Sequence, residues 1–366
     1  MRLFSDDSSS ITDPFLRHAY KLAMRGEGTT SPNPMVGCVI VNDGRVVGEG
    51  WHERAGGPHA EVVALDQAAQ GAREATVYVT LEPCGHQGRT PPCTDALITR
   101  GVSQVVIGMP DPSDAAQGGA DRLRSAGIGV TFADDPAPFE ALNESWLTLV
   151  RKGRPWVTVK IACTLDGKVA AVAGARAQIS GEGSRPVTMK LRAVCDAVLV
   201  GARTAVADDP ALTCREADGT DADRQPLRVV LTRDTDPRTA TLFGDGRGPS
   251  ALVLPEDSPF NADGSRSCGL IRYSRDGGLC AALHALGDQG IARVLVEPGP
   301  TLFTALWSED LIDELIVIHA GLVFGEGAPG MFTGADTGDA LKESNRMRVT
   351  ECAVAGDDAV TVWRRS

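Results

Sequence analysis

Two successive α/β domains are the architecture the sequence predicts, and three observations predict it. The chain has 366 residues, more than one typical domain holds. Both halves alternate helix-period and strand-period apolar patterns. Between them, in the stretch 146–155, lies the charged Gly/Pro punctuation Arg151-Lys152-Gly153-Arg154-Pro155, which suits a domain junction. Residues 1–150 are therefore read as a first domain and 151–366 as a second.

In the first domain, Thr12-Asp13-Pro14 opens a helix: a capping side chain, then Pro near the first helical position, where no backbone donor is missed. Phe15, Leu16, Ala19, Leu22 and Ala23 share one stripe of it, and it ends at Gly26. Residues 36–41 and 45–48 read as a hairpin about the turn Asn42-Asp43-Gly44. A helix over 59–70 is expected to stop at Gly71 in a left-handed cap. Strand 76–81, helix 96–100, strand 104–108, helix 120–126 and strand 128–132 follow. The second domain restarts with a strand over 156–162. Further strands are expected at 197–200, 227–232, 251–254, 293–297 and 315–319, with helices near 184–195 and 279–286. The Asp/Gly-rich run 218–223 reads as a surface loop.

Lys plus Arg number 36 against 48 Asp plus Glu, a formal net charge of −12. Residues 1–150 hold 11 basic and 19 acidic groups, and residues 151–366 hold 25 and 29. Neither domain has the basic surplus that neutralises a nucleic-acid backbone, so a deaminase of polymeric nucleic acid is disfavoured and no such partner is expected. A few local cations can still hold a small anion. No apolar run is long enough to cross a bilayer, and the first ten residues lack the pattern of an export signal. No membrane partner is expected, and nine thinly spread cysteines fit the reducing cytoplasm.

The strongest chemical signal is His59-Ala60-Glu61 followed by Pro83-Cys84 and Pro92-Cys93. One imidazole and two thiolates offer Zn²⁺ three ligands and leave a fourth tetrahedral position for water, the arrangement of a catalytic site. Zinc lowers the pKa of such a water to about 7. A carboxylate two residues after the histidine, at a helix start, is placed to carry a proton to a departing amine, which makes Glu61 the acid–base candidate. His-x-Glu followed by paired Pro-Cys is the pattern of zinc nucleobase deaminases. Here the cysteines stand nine positions apart instead of three. The insert brings His86, Arg89 and Thr90, groups able to hold a phosphorylated substrate. With His86 as a fourth ligand the same residues would instead close a structural zinc site. Cys38, Cys163, Cys195, Cys214, Cys268, Cys280 and Cys352 are read as small buried hydrophobes.

At Thr80-Leu81-Glu82-Pro83-Cys84-Gly85-His86-Gln87-Gly88-Arg89-Thr90-Pro91-Pro92-Cys93 the chain resembles the bifunctional deaminase–reductase family of riboflavin biosynthesis (RibD). The similarity includes Ser31-Pro32-Asn33-Pro34-Met35-Val36-Gly37 and Gly48-Glu49-Gly50-Trp51-His52. In the second half it resumes at 160–168, 191–193, 207–215 and 296–302, so nearly the whole chain is covered in order. The resemblance implies a cytidine-deaminase-like three-layer domain followed by a dihydrofolate-reductase-like domain. It implies hydrolytic deamination of 2,5-diamino-6-ribosylamino-4(3H)-pyrimidinone 5′-phosphate, then NADPH reduction of the ribosyl group to ribityl. By the same resemblance His59, Cys84 and Cys93 hold zinc and Glu61 shuttles the proton, while Asn33, His52, His86, Arg89 and Asp111 line the deaminase pocket. A homo-oligomer formed through the reductase domain is a further expectation of this kind.

In the second domain the family's cofactor positions fall on Ala162, Gln178, Thr204, Asp208, Gly299, Pro300 and Thr301. Its substrate positions fall on Arg176, Arg192, Leu212, Arg215 and Glu297. Independently, Glu297 ends a predicted strand and Pro298-Gly299-Pro300-Thr301 opens a helix whose free N–H groups suit a phosphate. Arg192 and Arg215 are of the type that clamps a phosphate bidentately. No Gly-x-Gly-x-x-Gly follows a strand, so an ordinary Rossmann site is not indicated. Lys160 and Asp166 are candidate proton donors by type. Three departures from the family pattern stand out. Arg176-Ala177-Gln178 replaces Ser-x-Trp, Asp111-Pro112-Ser113-Asp114 replaces Asp-Pro-Asn-Pro, and Gly85 replaces a small polar residue. The first of these leaves open an alternative in which the deaminase is active and the second domain is non-catalytic or altered in specificity.

Overall fold

The computed structural model describes residues 7–85, 91–113, 118–172, 178–260, 268–334 and 346–365. The chain forms two compact units, Met1–Lys152 and Gly153–Ser366.

The first unit opens with α1 (Pro14–Ala23), capped by Asp13, whose carboxylate accepts from Phe15 N at 2.8 Å and Leu16 N at 2.9 Å. The hairpin β1 (Gly37–Asn42) and β2 (Arg45–Trp51) turns at Asp43 and Gly44, both at positive φ. Then follow α2 (Ala60–Ala68), β3 (Thr76–Val79), α3 (Cys93–Arg100), β4 (Gln104–Ile107), α4 (Gly119–Ser125), β5 (Gly129–Phe132), α5 (Ala137–Leu142) and α6 (Glu144–Lys152). The strands order as β2-β1-β3-β4-β5, with β1 antiparallel to both neighbours and β3, β4 and β5 parallel.

Alternation along the central strands sorts the core into two faces. Cys38 and Ile40 pack with Ala60, Ala64, Leu65, Leu97 and Leu123, from α2, α3 and α4. Val39 and Val41 pack with Ala19 and Leu22 of α1. Leu81 and Met109 meet Tyr20, Phe139, Leu142, Trp146 and Leu147, from α1, α5 and α6. This is the three-layer arrangement expected.

Three glycines let helices lie directly on strand backbone. A Cβ at Gly37 would fall 2.0 Å from Ala19 O, at Gly48 2.2 Å from Ala64 O, and at Gly50 2.3 Å from Ala60 O. The helix that follows His59 therefore presses its first turn against β2 with no side chain between them.

The second unit comprises β6 (Trp156–Thr164), α7 (Arg185–Val194), β7 (Ala197–Gly201), α8 (Ala202–Asp208), β8 (Leu227–Leu231), β9 (Ser250–Pro255), β10 (Gly269–Tyr273), α9 (Gly278–Gly287), β11 (Arg293–Val296), α10 (Pro300–Ser308), β12 (Glu314–Ala320), β13 (Met347–Ala355) and β14 (Asp358–Arg365). Its described strands form one sheet, β10-β9-β8-β7-β11-β6-β12-β14-β13, parallel from β10 to β12 and ending in an antiparallel hairpin. The start of β6 is pinned by Arg154, which grips Asp313 through two hydrogen bonds of 2.6 and 2.9 Å while Val157 N donates to the same carboxylate.

Helix α6 runs on to Lys152, with Trp146 and Leu147 in a buried stripe, and the division between the units falls next, at Gly153 in the charged Gly/Pro run. Some expectations are corrected. Gly71 is not a left-handed cap: α2 breaks at Ala69, at φ 48°, and a 3₁₀ turn runs on to Ala72. Helices α5 and α8, strand β10 and the hairpin β13–β14 lacked a distinctive pattern in the sequence. Cys280 and Cys352 are exposed and Cys268 is half-buried, whereas Cys38, Cys163, Cys195 and Cys214 are buried as expected.

The close approach of α2 to β2 generates a prediction. Gly50→Ala is expected to destabilise the first unit by about 1–3 kcal/mol, through overpacking against backbone that cannot yield. Thermal unfolding checks this; an unchanged Tm would show that the helix has room to move.

Candidate active site

Three elements converge on one point of the first unit. His59 is the N-cap residue of α2, Cys93 is the first residue of α3, and Cys84 lies on the loop after β3. His59 Nδ1 is 3.1 Å from Cys93 Sγ and 3.7 Å from Cys84 Sγ, and all three donor atoms lie within 4.8 Å of one another. Two helix N-termini thus face two thiols, an arrangement that favours thiolate. Cys93 N donates to Cys84 Sγ at 3.3 Å. The Cys84 thiol is drawn well down, first by the hydrogen bond from the Cys93 thiol, and the Cys93 thiol is correspondingly pushed up. One imidazole nitrogen and two sulfurs at this spacing fit a tetrahedral zinc ion with an open position. Among the described residues this is the sole such cluster.

Glu61, in the first turn of α2, is buried, and burial raises its pKa against the opposing pull of His59. A carboxyl held in that way exchanges protons more readily near neutrality than an exposed one.

A second layer fixes these groups. His52 Nδ1 donates to Pro58 O at 2.9 Å, so its Nε2 is left to accept from Asn33 Nδ2 at 3.2 Å. Its ring stands edge-on to the His59 ring, with centroids 5.9 Å apart. Asn33 and His52, read as pocket residues, are thus brought together beside a metal ligand. Asp111 accepts from both Ser113 N (2.8 Å) and Ser113 Oγ (2.6 Å), so the serine that replaces the family's asparagine is engaged with Asp111 itself. His86 and Arg89 lie outside the described residues. Sequence reasoning gave no role to Glu82. Its buried carboxylate accepts from Ala120 N at 2.8 Å and Asp111 N at 3.3 Å, tying the Cys84 loop to α4 and to the Asp111 loop. An acid at the end of an apolar strand was the available signal.

In the second unit the expected residues gather at the C-terminal ends of three adjacent parallel strands, β7, β11 and β6, where open α/β sheets place their ligands. Ala162 and Lys160 lie on β6, Glu297 directly follows β11, and Thr204 and Asp208 lie on α8 after β7. Gly299 caps α10, with Pro300 and Thr301 in its first turn, and a Cβ at Gly299 would fall 2.9 Å from Thr204 Oγ1. Glu297 is an ion-pair centre: Arg192 meets it at 2.8 Å through both Nε and Nη2, and Lys160 Nζ lies 3.7 Å away. Burial pushes the Glu297 carboxyl up, but Arg192 and then Lys160 overcome it and hold it at about 2.

Arg192 also donates to Thr213 O at 2.8 Å, so its guanidinium is largely committed to shaping the site. Arg215 has no ion-pair partner among the described residues, and burial followed by the nearby Arg247, Arg185 and Arg192 lowers its pKa. That crowd of like charge suits a phosphate, and Arg185 and Arg247 were not anticipated. Leu212 is buried at φ 52° beside Thr213. Gln178 is exposed, and Arg176 lies outside the described residues. Asp166 is corrected as a proton donor: Thr164 Oγ1, Gly325 N and Phe324 N all donate to its carboxylate and hold it in the ionised form.

The fold and the ligand trio define a zinc-binding deaminase-type domain joined to a second α/β domain with a polar site at its strand ends. Comparison with known proteins agrees in both halves. Residues 9–109 match the cytidine and deoxycytidylate deaminase zinc-binding region, and residues 155–361 match the RibD C-terminal domain. The riboflavin biosynthesis protein RibD of Aquifex aeolicus is 37% identical over 359 residues, 97% of this chain and 99% of that protein. The Escherichia coli protein of the same name is 41% identical over 332 residues, 87% and 90% of the two chains. The solved structure of Acinetobacter baumannii RibD superposes with a TM-score of 0.87 at 35% identity, covering 96% of this chain and 98% of that one. A Thermotoga maritima structure titled as a diaminohydroxyphosphoribosylaminopyrimidine deaminase/5-amino-6-(5-phosphoribosylamino)uracil reductase gives 0.84 at 32% identity, with the same coverage. The chain belongs to the RibD family. It is a bifunctional enzyme of riboflavin biosynthesis, with a zinc-dependent deaminase domain followed by an NADPH-dependent reductase domain.

The depressed Glu297 carboxyl sets a pH dependence. Its folded value of about 2 lies below the ordinary 4.5, so its ion pairs contribute fully above about pH 4.5 and are lost as pH falls toward 2. The contribution is roughly 3 kcal/mol at most. Glu297→Gln is expected to lower stability at neutral pH and to flatten the acid limb of the second unit's unfolding profile. An unchanged profile would show that the carboxylate is not held by these cations.

Proposed function

We propose that residues 1–150 deaminate 2,5-diamino-6-ribosylamino-4(3H)-pyrimidinone 5′-phosphate and that residues 151–366 reduce the ribosyl group of the product to ribityl with NADPH. The observation that carries this reading is the convergence of His59, Cys84 and Cys93 at the first turn of the helix that also bears Glu61. Zinc, when bound there, supplies Lewis acidity that lets water ionise near neutrality. Glu61 is placed to take a proton from water as the water oxygen bonds to the ring carbon bearing the amine, and to give it to the exocyclic nitrogen as the carbon–nitrogen bond breaks and ammonia leaves. Asn33, His52 and Asp111, with His86 and Arg89 of the insert, hold the pyrimidine and its ribose phosphate.

In the second unit, reduction adds a hydride from NADPH to C1′ of the sugar and a proton to the ring oxygen that departs from it. Lys160, placed beside Glu297, is the residue we assign to that proton. Arg215, which has Arg247, Arg185 and Arg192 around it against Asp221, receives the phosphate, and Arg192 holds Glu297 and the Thr213 backbone in position. Ala162, Thr204, Asp208, the Gly299-Pro300-Thr301 turn and Gln178 are the residues we assign to the nucleotide, and Arg176, outside the described residues, is assigned to the substrate. The Lys160–Glu297–Arg192 cluster supports a catalytic second unit over a merely ligand-binding one. The acidic surplus of the first unit supports a free small-molecule substrate over a nucleic acid, and the nine thinly spread cysteines support the reducing cytoplasm as the site of action. Among the described residues no helix is long and apolar enough to cross a membrane.

A coupled assay with the half-reactions scored separately tests the reading. Glu61→Gln is expected to cut ammonia release by about 10²–10⁴-fold while leaving zinc content and NADPH oxidation with the deaminated intermediate unchanged. Ammonia release at the wild-type rate would remove Glu61 from the mechanism.

A further inference from the structure

Asn143 lies far in sequence from every residue assigned above, yet its side chain is built into the deaminase site. It sits between α5 and α6, at 2% exposure. Its amide oxygen accepts from Met35 N at 2.8 Å, and its amide nitrogen donates to Met35 O at 3.0 Å. Both backbone groups of one residue are thus satisfied by one side chain, as a neighbouring strand would do. A primary amide has the donor and acceptor side by side that this requires; a carboxylate lacks the donor and an aliphatic chain lacks both.

Met35 stands two residues after Asn33, and two hydrogen-bonded routes lead from it to His52. Along the backbone, Val36 O accepts from His52 N at 2.9 Å. Through side chains, Asn33 Nδ2 donates to His52 Nε2 at 3.2 Å. His52 Nδ1 then donates to the carbonyl of Pro58, which directly precedes the metal ligand His59, and the two imidazoles meet edge to face. Behind the clamp, Met35 and Val36 pack on the cluster of Phe139, Leu142, Trp146 and Leu147, so the helix pair that carries Asn143 is itself anchored.

We propose that Asn143 is a positioning residue for deamination. By clamping Met35 it fixes the loop that presents Asn33 and His52 to the pyrimidine, beside the zinc ligands. The proposal rests on the deaminase reading of the first unit. Asn143 does not touch substrate; its effect runs through the placement of Asn33 and His52. The binding side of the reaction should therefore suffer more than the chemical step.

The test uses the full-length, zinc-loaded protein, with Asn143→Ala and the near-isosteric Asn143→Asp, the latter carrying the test if the alanine variant does not fold. Both are expected to raise KM for the diaminopyrimidine phosphate about tenfold, the size expected for lost buried hydrogen bonds. Deaminase kcat should change less than about threefold, zinc should stay stoichiometric, and NADPH oxidation by the second unit should be unaffected. Exchange of the Met35 amide hydrogen should accelerate in Asn143→Ala, which removes its acceptor, whereas Asn143→Asp keeps that acceptor and loses only the donor to Met35 O. An unchanged KM in a folded, zinc-loaded variant would overturn the proposal. So would a loss of kcat in step with a loss of zinc, which would make Asn143 a support of the metal site alone. A wild-type protein that releases no ammonia would instead sink the deaminase reading, a result separate from either.

Discussion

The first unit depends on bare backbone contact between α2 and β2. Gly48 and Gly50 face the carbonyls of Ala64 and Ala60 at distances that no side chain could share. That contact sets the depth at which the N-terminal end of α2 stands, and with it His59 and Glu61. The same device recurs on the other side of the ligand trio, where a Cβ at Gly119 would fall 1.9 Å from Pro83 O, so α4 is seated against the loop that carries Cys84. A three-ligand site tolerates little displacement, because each donor must reach one point at bonding distance. Glycine here serves close approach, and the site inherits its geometry from the sheet.

The second unit solves a different problem, that of holding charge at the end of a parallel sheet. Glu297 carries two cations, and Arg192 reaches past it to the Thr213 backbone, so one ion-pair centre shapes both the strand end and the loop that carries Thr213. A comparable arrangement stabilises the outer part of the sheet. Arg228, almost fully buried, grips Asp245 through two hydrogen bonds of 2.7 and 2.9 Å and also donates to the carbonyls of Gly248 and Ala211. Ala211 directly precedes Leu212 and Thr213, so this pair orders the same loop from behind. Buried pairs of this kind contribute modest net stability, but they are costly to break singly, because the partner is left charged and unsolvated.

Much of this was legible in the sequence where local chemistry decides the outcome. The Asp13 cap, the Asn42-Asp43-Gly44 turn and the hairpin it closes all read correctly, because each depends on a few adjacent residues. The zinc trio was legible because its spacing matches a chemical requirement and two prolines mark the turns. What stayed hidden depends on partners distant along the chain. Asn143 looks like an ordinary helix-breaking residue until Met35 is seen beside it, and Glu82 looks like part of a motif until Ala120 and Asp111 are found on its oxygens. Asp166 shows the converse: its residue type suited acid catalysis, but its three donors make it a turn-forming carboxylate. The hairpin β13–β14 was missed because its alternation is weak on the exposed strand, where Val349 and Val354 face outward.

The central claim is that one imidazole and two thiolates of the first unit bind zinc with a position left over for water. X-ray absorption at the zinc edge of the loaded full-length protein tests it most directly. The account predicts two sulfurs at about 2.3 Å and two nitrogen or oxygen neighbours at about 2.0–2.1 Å, one of them exchangeable. A shell with any other number of sulfurs, or with a second histidine in place of the exchangeable ligand, would contradict it.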